Sequence, residues 1–321
     1  MTKPSTSDFL AAADAAYSGH PASTSGLSVL TGPRGGPVEA TKAADGFHGV
    51  ALETASGQVI IAFEGTALSD LQTRPTFVQA QLAGDAAIAK GQDAAAYADA
   101  LRFANRAVAA AEAQGIAPSD IFVDGHSSGG AQAEYVAVKT GLAGDTFGAP
   151  GIPAADMNTG VRSHLTNFVD YGDPVGNYSD NPDRIGNLLM GDGIERYGRP
   201  TYVGQASDAR SLAAADRLYG TSPVGSAAAA GLVVQGIVNH HQIGAYAADL
   251  GVTLPGGNEA GGSQLTAADI RSAVSAITGT SGPATGGVGN VLTGLGLDAP
   301  VGSSSIESLL GAGAHPHGHF G

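Results

Sequence analysis

No cysteine occurs anywhere in the 321 residues. Disulfides, thiolate nucleophiles and cysteine-ligated zinc are therefore excluded, and covalent chemistry falls to serine, histidine and the carboxylates. Charge is nearly as scarce. Charged residues make up 14% of the chain, and 15 basic residues face 29 acidic ones, for a net charge of −14. Nucleic acid and anionic membrane surfaces both require a positive footprint. With no Lys/Arg run to supply one locally, neither is expected as a partner. Long apolar runs are missing too. The longest, Ala227 to Val238, contains Gln235 and two glycines, whereas a spanning helix needs about 20 apolar residues. No transmembrane segment is expected. Met1 to Gly19 carries one lysine and an apolar stretch broken by Asp8 and Asp14, which is not the layout of a signal peptide.

What the chain does have is glycine, at 49 positions, and a hydrophobic fraction of 43%, enough for a sizeable core. Ser7 to Tyr17 reads as a helix with Phe9, Leu10, Ala13 and Tyr17 on one side, and Ser18 to Gly46 as a long irregular connection. Phe47–Glu53 and Gln58–Phe63 read as strands paired about the Ser56-Gly57 turn. Gln92 to Gln114 has helical periodicity through Tyr97, Leu101, Ala104 and Val108. A strand at Ile121–Val123, a helix from Ser127 to Thr140 ending at Gly141, and strands at Asp145–Phe147 and Leu165–Val169 follow. This alternation predicts an α/β fold with a largely parallel central sheet flanked by helices. Beyond Gly256 the composition shifts to Gly, Ala, Ser and Thr, with one helix expected at Leu265–Ile277. The expected organisation is a catalytic domain over 1–255 and a Gly/Ala-rich C-terminal extension over 256–321. Asp298 belongs to no series of aspartates at fixed spacing there, which excludes calcium-binding glycine-rich repeats.

The segment Gly125-His126-Ser127-Ser128-Gly129 fits the G-x-S-x-G turn that exposes a nucleophilic serine between strand and helix. In a chain this rich in glycine the pentapeptide means little alone. Its context carries the reading: a buried strand leads in, a helix leads out, and Gly125, Gly129, Gly130 and Ala131 leave room for a tight turn. A serine at its free pKa needs a base, and the base needs an orienting acid. With the chain order Ser, Asp/Glu, His, the candidates lie after Ser127. His164 reads as structural. His315, His317 and His319 sit at alternate positions of the tail and read as solvated. His240 and His241 remain as base candidates. Asp173, in the loop after the Leu165–Val169 strand, is the leading acid, with Asp170 and Asp180 as competitors.

These residues resemble a known family. GHSSGG followed by Thr146-Phe147-Gly148-Ala149-Pro150 is similar to the GHSxGG…TFGAP pairing of the class 3 lipases, fungal-lipase-like members of the α/β-hydrolase superfamily. Ile61 to Thr66 (IAFEGT) resembles that family's strand ending in F-R-G-T. Asp173-Pro174-Val175 matches its D-P-V, and His241 with Tyr246 matches its H-S-x-x-x-Y. Four ordered matches span more than half of the chain. The resemblance implies an α/β-hydrolase fold, with Ser127 as nucleophile, Asp173 as acid and His241 as general base. It also implies an oxyanion hole from Thr66 and Ser128, in which Thr66 offers its N–H and its hydroxyl. The implied function is serine carboxylic ester hydrolysis, lipase- or esterase-like, on an ester or lipid substrate, with no cofactor and no metal. Phospholipase or amide hydrolysis on the same triad, or a non-catalytic binding module, are the alternatives, and a structural surface protein is a weaker third. By analogy with such enzymes the protein is expected to be secreted without an N-terminal signal peptide, with a cytoplasmic location as the alternative.

The chain departs from the family at three places. Glu64 stands where arginine is common, Asp70-Leu71 where D-W is common, and Ser128 where leucine is usual. The window between oxyanion strand and long helix, Ala67 to Lys90, holds Phe77, Val78 and Leu82 among polar and small residues. A lid with so modest an apolar face points to short or medium acyl esters, or a soluble polyester, over bulk triglyceride.

Overall fold

The computed structural model describes residues 3–18, 25–157, 163–179, 193–255 and 257. Asp180, the expected helix at 265–277 and the three tail histidines lie outside the described residues, as does the 256–321 extension except Gly257.

The buried strands explain the architecture. In β4 (Val59–Phe63) and β5 (Ile121–His126) every residue is buried, as expected for strands covered on both faces. Their side chains divide with period two. Val59, Ile61, Phe63, Ile121 and Val123 enter one apolar cluster, and Ile60, Ala62 and Phe122 enter the other. The first cluster is closed by α3 (Ala96–Glu112) and α4 (Ser128–Thr140), through Phe103, Ala107, Val136 and Ala137. The second is closed by α1 (Thr6–Ser18) and α7 (Ile243–Asp249), through Phe9, Leu10, Ile243 and Tyr246. Alanine along the buried face of α3 lets the helix lie close to the sheet.

The other strands are β1 (Leu27–Val29), β2 (Glu39–Lys42), β3 (Phe47–Thr54), β6 (Ala143–Phe147), β7 (Ile152–Pro153), β8 (Leu165–Asp170), β9 (Ile194–Glu195) and β10 (Arg199–Val203). Eight of the ten strands among the described residues form a mixed sheet in the order β1-β3-β4-β5-β6-β8-β10, with β2 also on β3, and β7 pairs with β9. Pairing is parallel from β4 through β10 and antiparallel where β3 meets β1, β2 and β4. The chain therefore has an α/β fold with mostly parallel strands flanked by helices. The β3–β4 hairpin turns at Gly57, where φ is +80°.

Two regions differ from the sequence reading. The connection from Ser18 to Gly46 contains β1 and β2, which are short and partly exposed edge strands with no apolar alternation to reveal them. The segment between β10 and His241 folds as a helical hairpin of α5 (Ala209–Leu218) and α6 (Pro223–His240). Its apolar cluster is local: Ala215, Ala229 and Val233, joined by Tyr219, Leu232 and Ile237. The 67–90 window holds α2 (Pro75–Ile88), with a small cluster of its own around Phe77, Val78 and Leu82. Among the described residues, no helix is long and apolar enough to cross a membrane.

Phe9 is fully buried, edge-on to Phe122 at 6.0 Å, and Val224 on α6 is 79% exposed. Phe9→Ala is expected to cost about 3–5 kcal/mol and Val224→Ala less than about 0.5 kcal/mol, read as shifts in the urea unfolding midpoint.

Candidate active site

Strand β5 runs into Ser127, and α4 starts at the next residue. Ser127 has φ 58° and ψ −131°, and it is the one non-glycine residue with positive φ among those described. Such a backbone persists only where the surroundings dictate it. Here the neighbouring glycines do. A Cβ on Gly125 would lie 2.3 Å from the Gly129 carbonyl oxygen, and one on Gly129 would lie 2.2 Å from the Phe63 carbonyl oxygen. Strand β4, the turn and α4 are thus in backbone contact. The Ser127 N–H donates to the Phe147 carbonyl at 2.9 Å, which ties the turn to β6.

His241 caps the C-terminus of α6 and reaches back to this turn. Its Nε2 lies 2.8 Å from Ser127 Oγ and its Nδ1 lies 2.9 Å from Asp173 Oδ2. Asp173, in the loop after β8, is fully buried. It also accepts hydrogen bonds from the Tyr246 hydroxyl at 2.6 Å and the Val175 N–H at 2.8 Å. Burial alone would raise its pKa. The charge of His241 and the hydrogen bonds from His241 and Tyr246 outweigh that and hold the carboxyl below its ordinary value. A carboxylate can only accept here, so Nδ1 carries a proton, and the other ring nitrogen, Nε2, faces the Ser127 hydroxyl. The Tyr246 hydroxyl accepts from the Asp170 N–H at 3.1 Å, which orients it toward Asp173. Gly148 has φ 59°, and a Cβ there would lie 2.8 Å from Asp173 Oδ2 and 3.1 Å from His241 Nδ1. The glycine of TFGAP is thus the space in which acid and base meet.

The two base candidates separate cleanly. The His240 Nδ1 is 3.1 Å from Asp170 Oδ2, a bond that raises the histidine's pKa, and its ring packs on Gly172. Asp170 therefore serves His240 and not His241. His164 is exposed at the start of β8. Among the described residues, Asp170, Asp208 and His240 bring ligand atoms within 4.8 Å of one another. Asp249 lies against Asp170, and its carboxyl is pushed up to about 7 by burial and by that neighbour.

Thr66 follows β4 and faces Ser128 across the turn, with hydroxyls 3.1 Å apart. Among the described residues no group engages the N–H of Thr66 or of Ser128, so both remain for an incoming oxygen. The Thr66 hydroxyl differs from expectation. It donates to Asp85 Oδ2 at 2.7 Å, so its proton is turned to α2. Burial pushes the Asp85 carboxyl up to about 6, against the hydrogen bonds from Thr66 and Ser128. Glu64, the charge reversal beside this strand, is buried and meets Arg74 at 2.6 Å. Burial raises its pKa to about 7, with Arg74 opposing.

Sequence reasoning missed Asp85, Tyr17 and His126. The Tyr17 hydroxyl is 2.7 Å from His126 Nδ1, and His126 Nε2 is 2.6 Å from the His241 carbonyl oxygen. A carbonyl accepts, so Nε2 carries the proton and Tyr17 donates to Nδ1. This chain fixes the backbone of His241. Only the position of His126 inside the pentapeptide hinted at it, because Tyr17 lies 109 residues away. Ser127, Thr66, Asp85 and His241 line a cavity of about 290 Å³ whose remaining wall is largely apolar, including Leu82 and Val233. No protein-family model matches the chain, and no curated protein matches it.

Burial, with the nearby His241, lowers the His126 pKa from 6.5 to about 3. The unfolded chain therefore takes up this proton first. The stability His126 contributes is complete above about pH 6.5 and is lost as pH falls toward 3. Nitrogen NMR of the ring should show one Nε2–H tautomer, unchanged from pH 8 to pH 5. A ring titrating near 6.5 contradicts the assignment.

Proposed function

We propose that this protein is a serine carboxylic ester hydrolase of the α/β-hydrolase fold, acting through an acyl-enzyme. The observation that carries the reading is the hydrogen-bonded series Ser127–His241–Asp173, at 2.8 and 2.9 Å, set on a strained strand-to-helix turn inside an apolar cavity. The similarity of GHSSGG, TFGAP, DPV and the His241/Tyr246 spacing to class 3 lipases supports the same reading. So does the parallel sheet that delivers Ser127 at the end of β5 and Asp173 after β8.

In the first step the Ser127 oxygen attacks the ester carbonyl carbon while His241 Nε2 takes the hydroxyl proton. Asp173 stabilises the imidazolium and remains ionised. The carbonyl oxygen, now negative, is received by the N–H groups of Thr66 and Ser128, and the start of α4 adds a favourable dipole. Collapse of the intermediate breaks the bond to the leaving oxygen, and His241 returns the proton to the alcohol. Water then attacks the acyl-serine with His241 again as base, releasing the acid and restoring Ser127. Each donor of the oxyanion hole is worth roughly 3 kcal/mol to the barrier. The largely apolar lining suits an apolar acyl group, and an intact series of acid, base and nucleophile argues against a non-catalytic module.

Ser127→Ala is expected to lower kcat/KM on p-nitrophenyl esters by at least about a thousandfold with thermal unfolding preserved. Wild type should label rapidly with a fluorophosphonate and the variant should not. Equal rates for the two proteins would remove Ser127 from the mechanism.

Gly148→Ala tests the acid–base contact separately. The added Cβ is expected to push the Asp173–His241 pair apart and lower kcat by about a hundredfold or more, with KM little changed. Wild-type kcat in that variant would show that the pair is not needed.

A further inference from the structure

The cavity over Ser127 is lined unevenly. Tyr17, Thr66, Asp85, His126, Ser128 and His241 surround the serine. Ser69 and Gln242 apart, the rest of the wall is largely apolar, with Ile88 and Ala89 at the end of α2, Val175 and Tyr178 after Asp173, and Val233 and Ile237 on α6. The Tyr178 hydroxyl donates to the Ala89 carbonyl at 3.0 Å, closing α2 against the loop that carries Asp173. This part of the wall carries no charge, so it matches a hydrocarbon and not a sugar, a peptide or a charged chain.

Its length follows from α6. Val233, Ile237 and His241 recur every four residues and so lie on one face, leading away from the base. At 1.5 Å per residue, His241 to Val233 is about 12 Å. A zig-zag hydrocarbon advances about 1.25 Å per carbon, so about nine or ten carbons span that distance. The volume agrees. An apolar cavity of about 150 Å³ holds one benzene ring, so about twelve non-hydrogen atoms occupy the present 290 Å³. Three of these are the ester carbonyl and its oxygens.

We propose that this apolar arm is an acyl-chain site for linear medium-chain acyl groups of about eight to ten carbons, with Ile237 beside the proximal methylenes and Val233 at the chain's end. The assignment rests on the ester-hydrolase reading and adds the substrate class to it. It also gives the α5–α6 hairpin a role: the helix that ends in the base also measures the chain.

The test is kcat/KM on p-nitrophenyl butanoate, octanoate, decanoate, dodecanoate and hexadecanoate. Wild type should peak at octanoate or decanoate, at least about tenfold above butanoate and hexadecanoate. Val233→Phe should lower the decanoate-to-butanoate ratio about tenfold, and Val233→Ala should raise the dodecanoate-to-octanoate ratio. The two shifts run in opposite directions, so a folding defect in one variant cannot imitate both, and thermal unfolding checks each. Hydrolysis that depends on Ser127 but shows no optimum, or ratios unmoved by both variants, overturns the acyl site and leaves the hydrolase standing. A wild type that hydrolyses none of the five esters overturns both.

Discussion

The backbone contact between β4, the Ser127 turn and α4 sets the positions of everything around the serine. Carbonyl oxygens of Phe63 and Gly129 occupy the places where side chains on Gly129 and Gly125 would stand. The chain can pass from β5 into α4 only through a residue with positive φ, and that residue is Ser127. Two results follow from one constraint. The serine is lifted out of the sheet, and the N–H groups of Thr66 and Ser128 are left beside it. Such donors need no reorganisation when charge develops next to them, which is the condition under which electrostatic stabilisation is strong.

Asp173 and His241 are held by a second set of contacts, which reaches from the turn to α7. Tyr246 receives from the Asp170 N–H and gives to Asp173. Asp173 then holds the ring of His241, and His126 holds its backbone. The directions in this series are fixed, because its ends are the Asp170 N–H and the His241 carbonyl and the Asp173 carboxylate between them can only accept. The neighbouring Asp170–His240 pair is kept apart by Gly172, on which the His240 ring lies. Two adjacent histidines thus face two different carboxylates without exchange of roles.

Local pattern made the centre of the molecule legible and left its edges obscure. The continuous apolar run of β4 and the helical period of α3 are written in residues that touch a core on every side. That Ser127, Asp173 and His241 come together was legible because short motifs keep their order along the chain, and the spacing to Tyr246 pointed to His241 rather than His240. β1 and β2 offered no such signal, since they are short, half-exposed and stabilised by pairing with β3. The α5–α6 hairpin escaped because α6 is apolar around much of its circumference, so no polar face marked it as a helix. Tyr17 and Asp85 reach the site through hydrogen bonds spanning 109 and 19 residues, and no spacing rule anticipates such contacts.

The link from Tyr17 through His126 to the His241 carbonyl also orders events in time. It joins α1 to a residue that leaves the ribosome more than two hundred positions later, and Ser127 waits 114 residues for His241. Loop closures of this length come late, after the local contacts have formed. A nascent chain can complete β3 to β6 before His241, whose ring lies 2.8 Å from Ser127 in the folded protein, has been made. On the proposed hydrolase reading, the serine stays inert until the C-terminal end of α6 docks beside it, so a product truncated before His241 carries a serine without its base.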